Sequence, residues 1–216
     1  MNDLSLYFQM SVLIVFSALV AGRIIHLRHK YKTNALSIIR NKGIHRSLGI
    51  IVVTIINIWV AILLVYILHP EIEFLPFPLG LVLVDTTPVK VVGILLISIG
   101  LAIYIAACIA LSNAWRIGYD HEIKGDLITK GIYSASRNPM YLFYGLYFVG
   151  TFMINGALIF LLLAVLLIIA LHYLIIQEEK QLYVAHGESF RSYACRTNRY
   201  LTWISPPALR VFIKKD

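Results

Sequence analysis

Residues 157–176 form an unbroken run of twenty residues without one Asp, Glu, Lys or Arg. A helix of that length is about 30 Å long, the thickness of a bilayer's hydrocarbon core. Four further apolar segments occur at 4–25, 48–68, 89–111 and 139–154. Only 14% of the residues are charged and 59% are hydrophobic, against about 25% charged in soluble domains. Little chain is left for a soluble domain. The sequence therefore reads as an all-α integral membrane protein with five transmembrane helices.

The fourth segment is the exception in length. Its 16 residues reach only about 24 Å. Asn155-Gly156 then separates it from the fifth, which predicts a short helical hairpin with its turn near the outer surface.

Basic residues set the expected orientation. Seven Lys/Arg lie from Arg23 to Arg46, none from His69 to Pro88, and seven after Ile176. Residues 112–138 carry Arg116, Lys124, Lys130 and Arg137. The alternation puts the N-terminus outside and the C-terminus in the cytoplasm, which five spans satisfy. The net charge of +8 then reflects topology and contact with membrane lipids. No separate basic domain exists to bind nucleic acid. Cys108 and Cys195 are not spaced as a disulfide or as metal ligands. The N-terminus reads as a first span and not as a removable signal. Three N-terminal helices with a basic loop, residues 1–111, precede a C-terminal unit, 112–216.

The polar residues worth explaining gather on the expected cytoplasmic side. Asn138-Pro139 reads as a helix start, because Asn caps well and Pro fits the first helical position. Such a start offers free N–H groups and partial positive charge, with Arg137 alongside, and suits an anionic group. A plain capped helix with a snorkelling arginine is the competing reading. Gln177-Glu178-Glu179 closes the fifth apolar run. Carboxylates at a hydrocarbon edge are costly unless paired, hydrated or used, and a cation or ribose hydroxyls could use them. The helical pattern continues through Leu182 and Tyr183 towards Tyr193. His172, Glu179 and His186 share a stripe but sit two turns apart, about 10 Å, too far for one metal ion. Tyr133 and Tyr141 bracket Arg137-Asn138-Pro139, where a ring could stack on a base or face a cation.

These residues also resemble a known family. Leu127-Ile128-Thr129-Lys130-Gly131-Ile132-Tyr133, followed by Arg137-Asn138-Pro139-Met140-Tyr141, is similar to the first signature of the isoprenylcysteine carboxyl methyltransferase group and its bacterial relatives. That group adjoins the phospholipid N-methyltransferases. Glu178-Glu179-x-x-Leu182, then Gly187-Glu188-x-Phe190-x-x-Tyr193 and Arg199, is similar to the second. The resemblance covers about residues 112–201.

It implies an S-adenosylmethionine-dependent methyltransferase, with a cytoplasmic loop and a C-terminal helix capping the cofactor site. The cofactor-binding residues it implies are Gly125, Asp126, Leu127, Ile128, Tyr133, Asn138, Pro139, Met140, Tyr141 and Glu178. The implied reaction is direct in-line methyl transfer to a lipid-like acceptor, without a metal. Arg137 is the candidate catalytic residue, placed to neutralise an acidic acceptor or the cofactor carboxylate.

There are departures. Asn138 stands for the usual His, His186 for a Phe, Phe190 for a Tyr and Thr197 for a Val. Leu174 occupies the place where the eukaryotic prenylcysteine branch has an arginine for the substrate carboxylate. Two alternatives stand beside the methyltransferase: a relative of the isoprenoid and sterol reductases using NADPH, and a non-catalytic lipid-binding membrane protein.

Overall fold

A computed structural model of the chain describes residues 2–31, 44–69, 75–111 and 127–201. Six α-helices occur among them: α1 Asn2–Tyr31, α2 Ile44–Leu68, α3 Thr87–Leu111, α4 Pro139–Asn155, α5 Leu158–His186 and α6 Glu188–Arg196, with a 3-10 turn at Gly131–Ser134. No strand forms among the described residues beyond one isolated bridge, Val82 to Ala157. Helices are what hydrocarbon demands, since each backbone N–H finds its carbonyl within the same segment.

Among the described residues, four helices are long and apolar enough to cross a membrane: Leu4–His26, Gly49–Leu68, Thr87–Leu111 and Leu158–His186. The all-α membrane class expected from the sequence is therefore present. The fourth expected span falls on α4, which is not among these four and whose 17 residues reach about 25 Å.

The α4–α5 hairpin turns on Gly156, at φ 71°. A Cβ there would lie 1.8 Å from the Val84 carbonyl oxygen, so the position requires glycine for its angle and for its space. Ala157 cannot cap α5 with its side chain. Carbonyls of the segment before α3 do so instead: the amides of Leu158 and Ile159 donate to Leu81 O at 2.9 Å and Leu79 O at 3.0 Å.

Apolar helices gain nothing by hiding from lipid, so close packing has to hold them together. α3 and α4 make the most extensive contact. Small residues permit it, because a Cβ on Gly93 would come within 2.7 Å of the Gly150 carbonyl oxygen. Aromatic side chains fill the wider gaps. Trp59 of α2 meets Phe148 of α4 and Phe160 of α5 edge-on, at 4.9 and 5.2 Å between ring centres. Phe16 of α1 packs edge-on against Tyr104 and tilted against Phe143.

The buried stripe of α5 runs Phe160, Ala164, Leu167, Leu171, Ile175 and Glu179. This spacing of three and four residues is that of one helix face. It ends on a carboxylate. α5 continues past the glutamate pair to His186, and the chain breaks at Gly187 (φ 52°). The helical pattern towards Tyr193 is thus two helices. α6 buries Phe190, Tyr193 and Ala194 against Leu127, Leu182 and Tyr183.

Candidate active site at the start of α4

Asn138 occupies the N-cap position of α4 with Pro139 at the first helical position, as the sequence predicts, but its side chain makes no cap bond. The reason is a stronger attraction elsewhere. Asn138 Nδ2 donates to Glu179 Oε1 at 2.9 Å and to the Arg199 carbonyl at 3.2 Å. Two residues earlier, the buried Ser136 accepts the Asn138 N–H through Oγ at 3.1 Å.

Glu179 is the hub. Its Oε1 accepts from Arg137 Nε (3.0 Å) and Asn138 Nδ2 (2.9 Å). Its Oε2 accepts from Arg137 Nη2 (3.1 Å), Arg199 Nε (3.0 Å) and Arg199 Nη2 (2.7 Å). Two guanidinium groups and an amide thus saturate one carboxylate. A buried charge is tolerable when it is paired and fully hydrogen-bonded.

Arg137 is equally committed. Besides Glu179, its Nη1 donates to Ala194 O at 3.0 Å and Thr197 O at 2.6 Å. Four of the five guanidinium hydrogens are thereby used, leaving one on Nη2. Its side chain is only 9% exposed.

Glu178, one residue earlier, faces different company. The Tyr141 hydroxyl donates to its Oε1 at 2.6 Å. Tyr133 lies near Glu178 and Tyr193. Burial raises the hydroxyls of Tyr133 and Tyr193 above the ordinary tyrosine range, so both remain protonated. Tyr193 uses its proton on the Tyr133 carbonyl, at 2.6 Å, which fixes the loop before α4.

Leu127 and Ile128 line a cleft of about 420 Å³ together with Ala110, Thr129, Lys130 and Gly131. Pro139 is buried, and Met140 packs beside Tyr104, Cys108 and Phe143. Gly125 and Asp126 lie outside the described residues. Tyr133, Asn138, Pro139, Met140, Tyr141, Arg137 and Glu178 therefore converge where loop 127–138 meets α4 and α5. Sequence reasoning left Glu179 and Arg199 without partners and passed over Ser136 and the carbonyls of Ala194 and Thr197. The available signal was charge accounting: a carboxylate facing a buried stripe requires cations, and Arg137 and Arg199 stood in the two motifs.

The fold and site define a polytopic helical membrane protein with a polar, tyrosine-lined centre at one end of its bundle. The phospholipid methyltransferase family model matches residues 89–188, from α3 to the first residue of α6. The matched segment, just under half of the chain, is similar to that family, and it contains Arg137 to Tyr141 and both glutamates. No curated protein and no solved structure matches the chain significantly.

Proposed function

We propose that the protein is an S-adenosylmethionine-dependent methyltransferase for a lipid-like, membrane-embedded acceptor. The observation that carries this reading is the meeting, inside the family segment, of the open α4 start with the Tyr141–Glu178 pair. The Asn138 side chain is turned away from the first turn of α4. The Met140 and Tyr141 amides, which precede the first intrahelical bonds, thus remain directed at an incoming carboxylate.

In this reading Gly125, Asp126, Leu127 and Ile128 form one wall of the cofactor site. Tyr133, Asn138, Pro139, Met140 and Tyr141 form the second, and Glu178 the third. Glu178 Oε1 is held by Tyr141, while no described residue bonds Oε2, which leaves it for an amine or ribose hydroxyls. S-adenosylmethionine supplies, when bound, an activated methyl group that passes in line to the acceptor. The chain's own task is to align the two and exclude water. The last Nη2 hydrogen of Arg137 is the proposed contact for an acidic acceptor. The proposed topology has five spans counting α4, the N-terminus outside, and the site and C-terminus on the cytoplasmic side. It divides the chain into three anchoring helices (1–111) and a methyltransferase core (112–216).

Calorimetric titration of detergent-solubilised protein with S-adenosylhomocysteine tests the reading, with NADPH as control. Saturable one-to-one binding by wild type, weakened in Glu178→Ala and Tyr133→Ala, is expected. A folded, monodisperse wild type that fails to bind at millimolar ligand would overturn it.

A further inference from the structure

We propose that residues 197–201 act as a strap whose docking sets the cofactor site, and that Arg199 is the positioning residue holding it there. The inference rests on the methyltransferase reading. The strap lies beyond the family segment, which ends at residue 188.

The strap bonds to each part of the site. The Arg137 amide donates to Asn198 O at 3.0 Å and its Nη1 to Thr197 O at 2.6 Å. Asn138 Nδ2 and Ser136 Oγ donate to Arg199 O at 3.2 and 3.4 Å. Thr197 Oγ1 donates to Ser134 O at 3.4 Å. The Arg199 side chain grips Glu179 through Nε and Nη2. Tyr200 closes the far end against His172 on α5, with oxygen and Nδ1 2.5 Å apart.

Nearly all of these attachments are polar. Among the described residues, none of 197–201 joins a buried apolar cluster. Thr197 is buried, but the Arg199 side chain is 25% exposed and Tyr200 37%, so water reaches the outer part of the strap. A segment held mainly by hydrogen bonds near solvent opens at lower free energy than the packed helices beneath it.

Opening has a defined consequence. Glu179 Oε2 loses two charge-assisted bonds, Asn138 loses a carbonyl, and Arg137 loses its bonds to Thr197 and Asn198. Arg137 and Asn138 immediately precede Pro139, so the orientation of the first turn of α4 is no longer fixed. A ligand that needs this turn and Tyr141 in place binds the docked form better. Such a ligand stabilises the strap, and the strap raises ligand affinity by the same factor.

The test pairs hydrogen exchange with calorimetry on the full chain in detergent, using S-adenosylhomocysteine as probe. In wild type, saturating probe is expected to slow exchange of the Arg137 amide, which donates to Asn198 O and so reports strap docking, at least about fivefold. Arg199→Gln is expected to speed that exchange and weaken probe binding by a matching factor. Arg199→Lys, which keeps the charge without the fork, is expected to recover part of both. A merely structural arginine would lower thermal stability yet leave probe-dependent protection of that amide intact.

Unchanged Arg137 amide exchange in wild type that binds the probe overturns the proposal. So does wild-type affinity in an Arg199→Gln protein in which that amide exchanges faster. If Arg199→Gln does not fold, wild type and Arg199→Lys decide by the same criteria. Failure of wild type to bind the probe at all is a distinct result: it removes the methyltransferase reading, and the coupling with it.

Discussion

Arg137 and Glu179 join the approach to α4 with α5 through a two-pronged ion pair, Nε to Oε1 at 3.0 Å and Nη2 to Oε2 at 3.1 Å. Side-chain exposures are 9% and 10%. Removing one partner of a buried pair costs about 3–5 kcal/mol, because the survivor stays buried and uncompensated. Glu179→Ala strands two arginines, whereas Arg137→Ala leaves Glu179 with Arg199. Thermal unfolding in detergent is expected to rank the losses Glu179→Ala, then Arg137→Ala, then Arg199→Ala, the last being most exposed. An Arg199→Ala protein less stable than Glu179→Ala would refute the hub assignment.

Tyr141→Phe deletes one hydroxyl and leaves the ring in place. The lost bond to Glu178 is worth about 1.5–3 kcal/mol at most, as a bond to a charged group. If Tyr141 orients Glu178 for the cofactor, S-adenosylhomocysteine affinity falls about 3–10-fold, alongside a drop of a few degrees in melting temperature. Equal affinities for the two proteins would show that this hydrogen bond serves the fold alone.

Gly156 and Gly187 share a positive φ but not the same surroundings. Alanine at 156 meets the Val84 carbonyl oxygen at 1.8 Å, while alanine at 187 meets nothing within 4 Å. Gly187→Ala is expected to cost only backbone strain, about 1–3 kcal/mol. Gly156→Ala carries that strain and must also displace the loop capping α5, so its melting temperature is expected to be clearly the lower. Equal losses would mean that the loop yields freely.

Gly150→Ala tests the α3–α4 crossing. The new Cβ would lie 2.6 Å from Ile97 Cγ1 and 2.7 Å from the Gly93 carbonyl oxygen. Side chains can rearrange, whereas the backbone oxygen cannot move without parting the helices. Overpacking of this kind costs about 1–3 kcal/mol. Gly145→Ala, with open space around its Cβ, serves as the control and is expected to melt like wild type. Wild-type stability in Gly150→Ala would show that the helices part without penalty.

Much of this architecture was legible because its signals are local. Twenty apolar residues state their own span length, Asn155-Gly156 states a turn, and Asn138-Pro139 states a helix start. The α4 start lies where expected. The cap itself could not be read, because Asn138 had two suitors: the amides of its own helix and the carboxylate of Glu179, 41 residues away. The charged acceptor draws Asn138 Nδ2, and the side chain placed in that way makes no bond to the helix amides. The break at Gly187 was equally hidden, since apolar periodicity runs on from Leu182 through Phe190 and Tyr193 without showing the change of direction.

The sequence by itself determined the membrane class, the helices, the hairpin and the few polar residues that hydrocarbon would not tolerate idle. The tertiary structure decided which of those residues meet. Glu178 and Glu179 are chemically identical neighbours, yet one residue turns a helix by about 100°. That turn sends Glu178 to Tyr141 and Glu179 to two arginines drawn from segments 42 and 20 residues away. Separation along the chain carries no record of such pairings, because they arise only when α4, α5 and the strap pack together and each buried charge settles on the partners within reach.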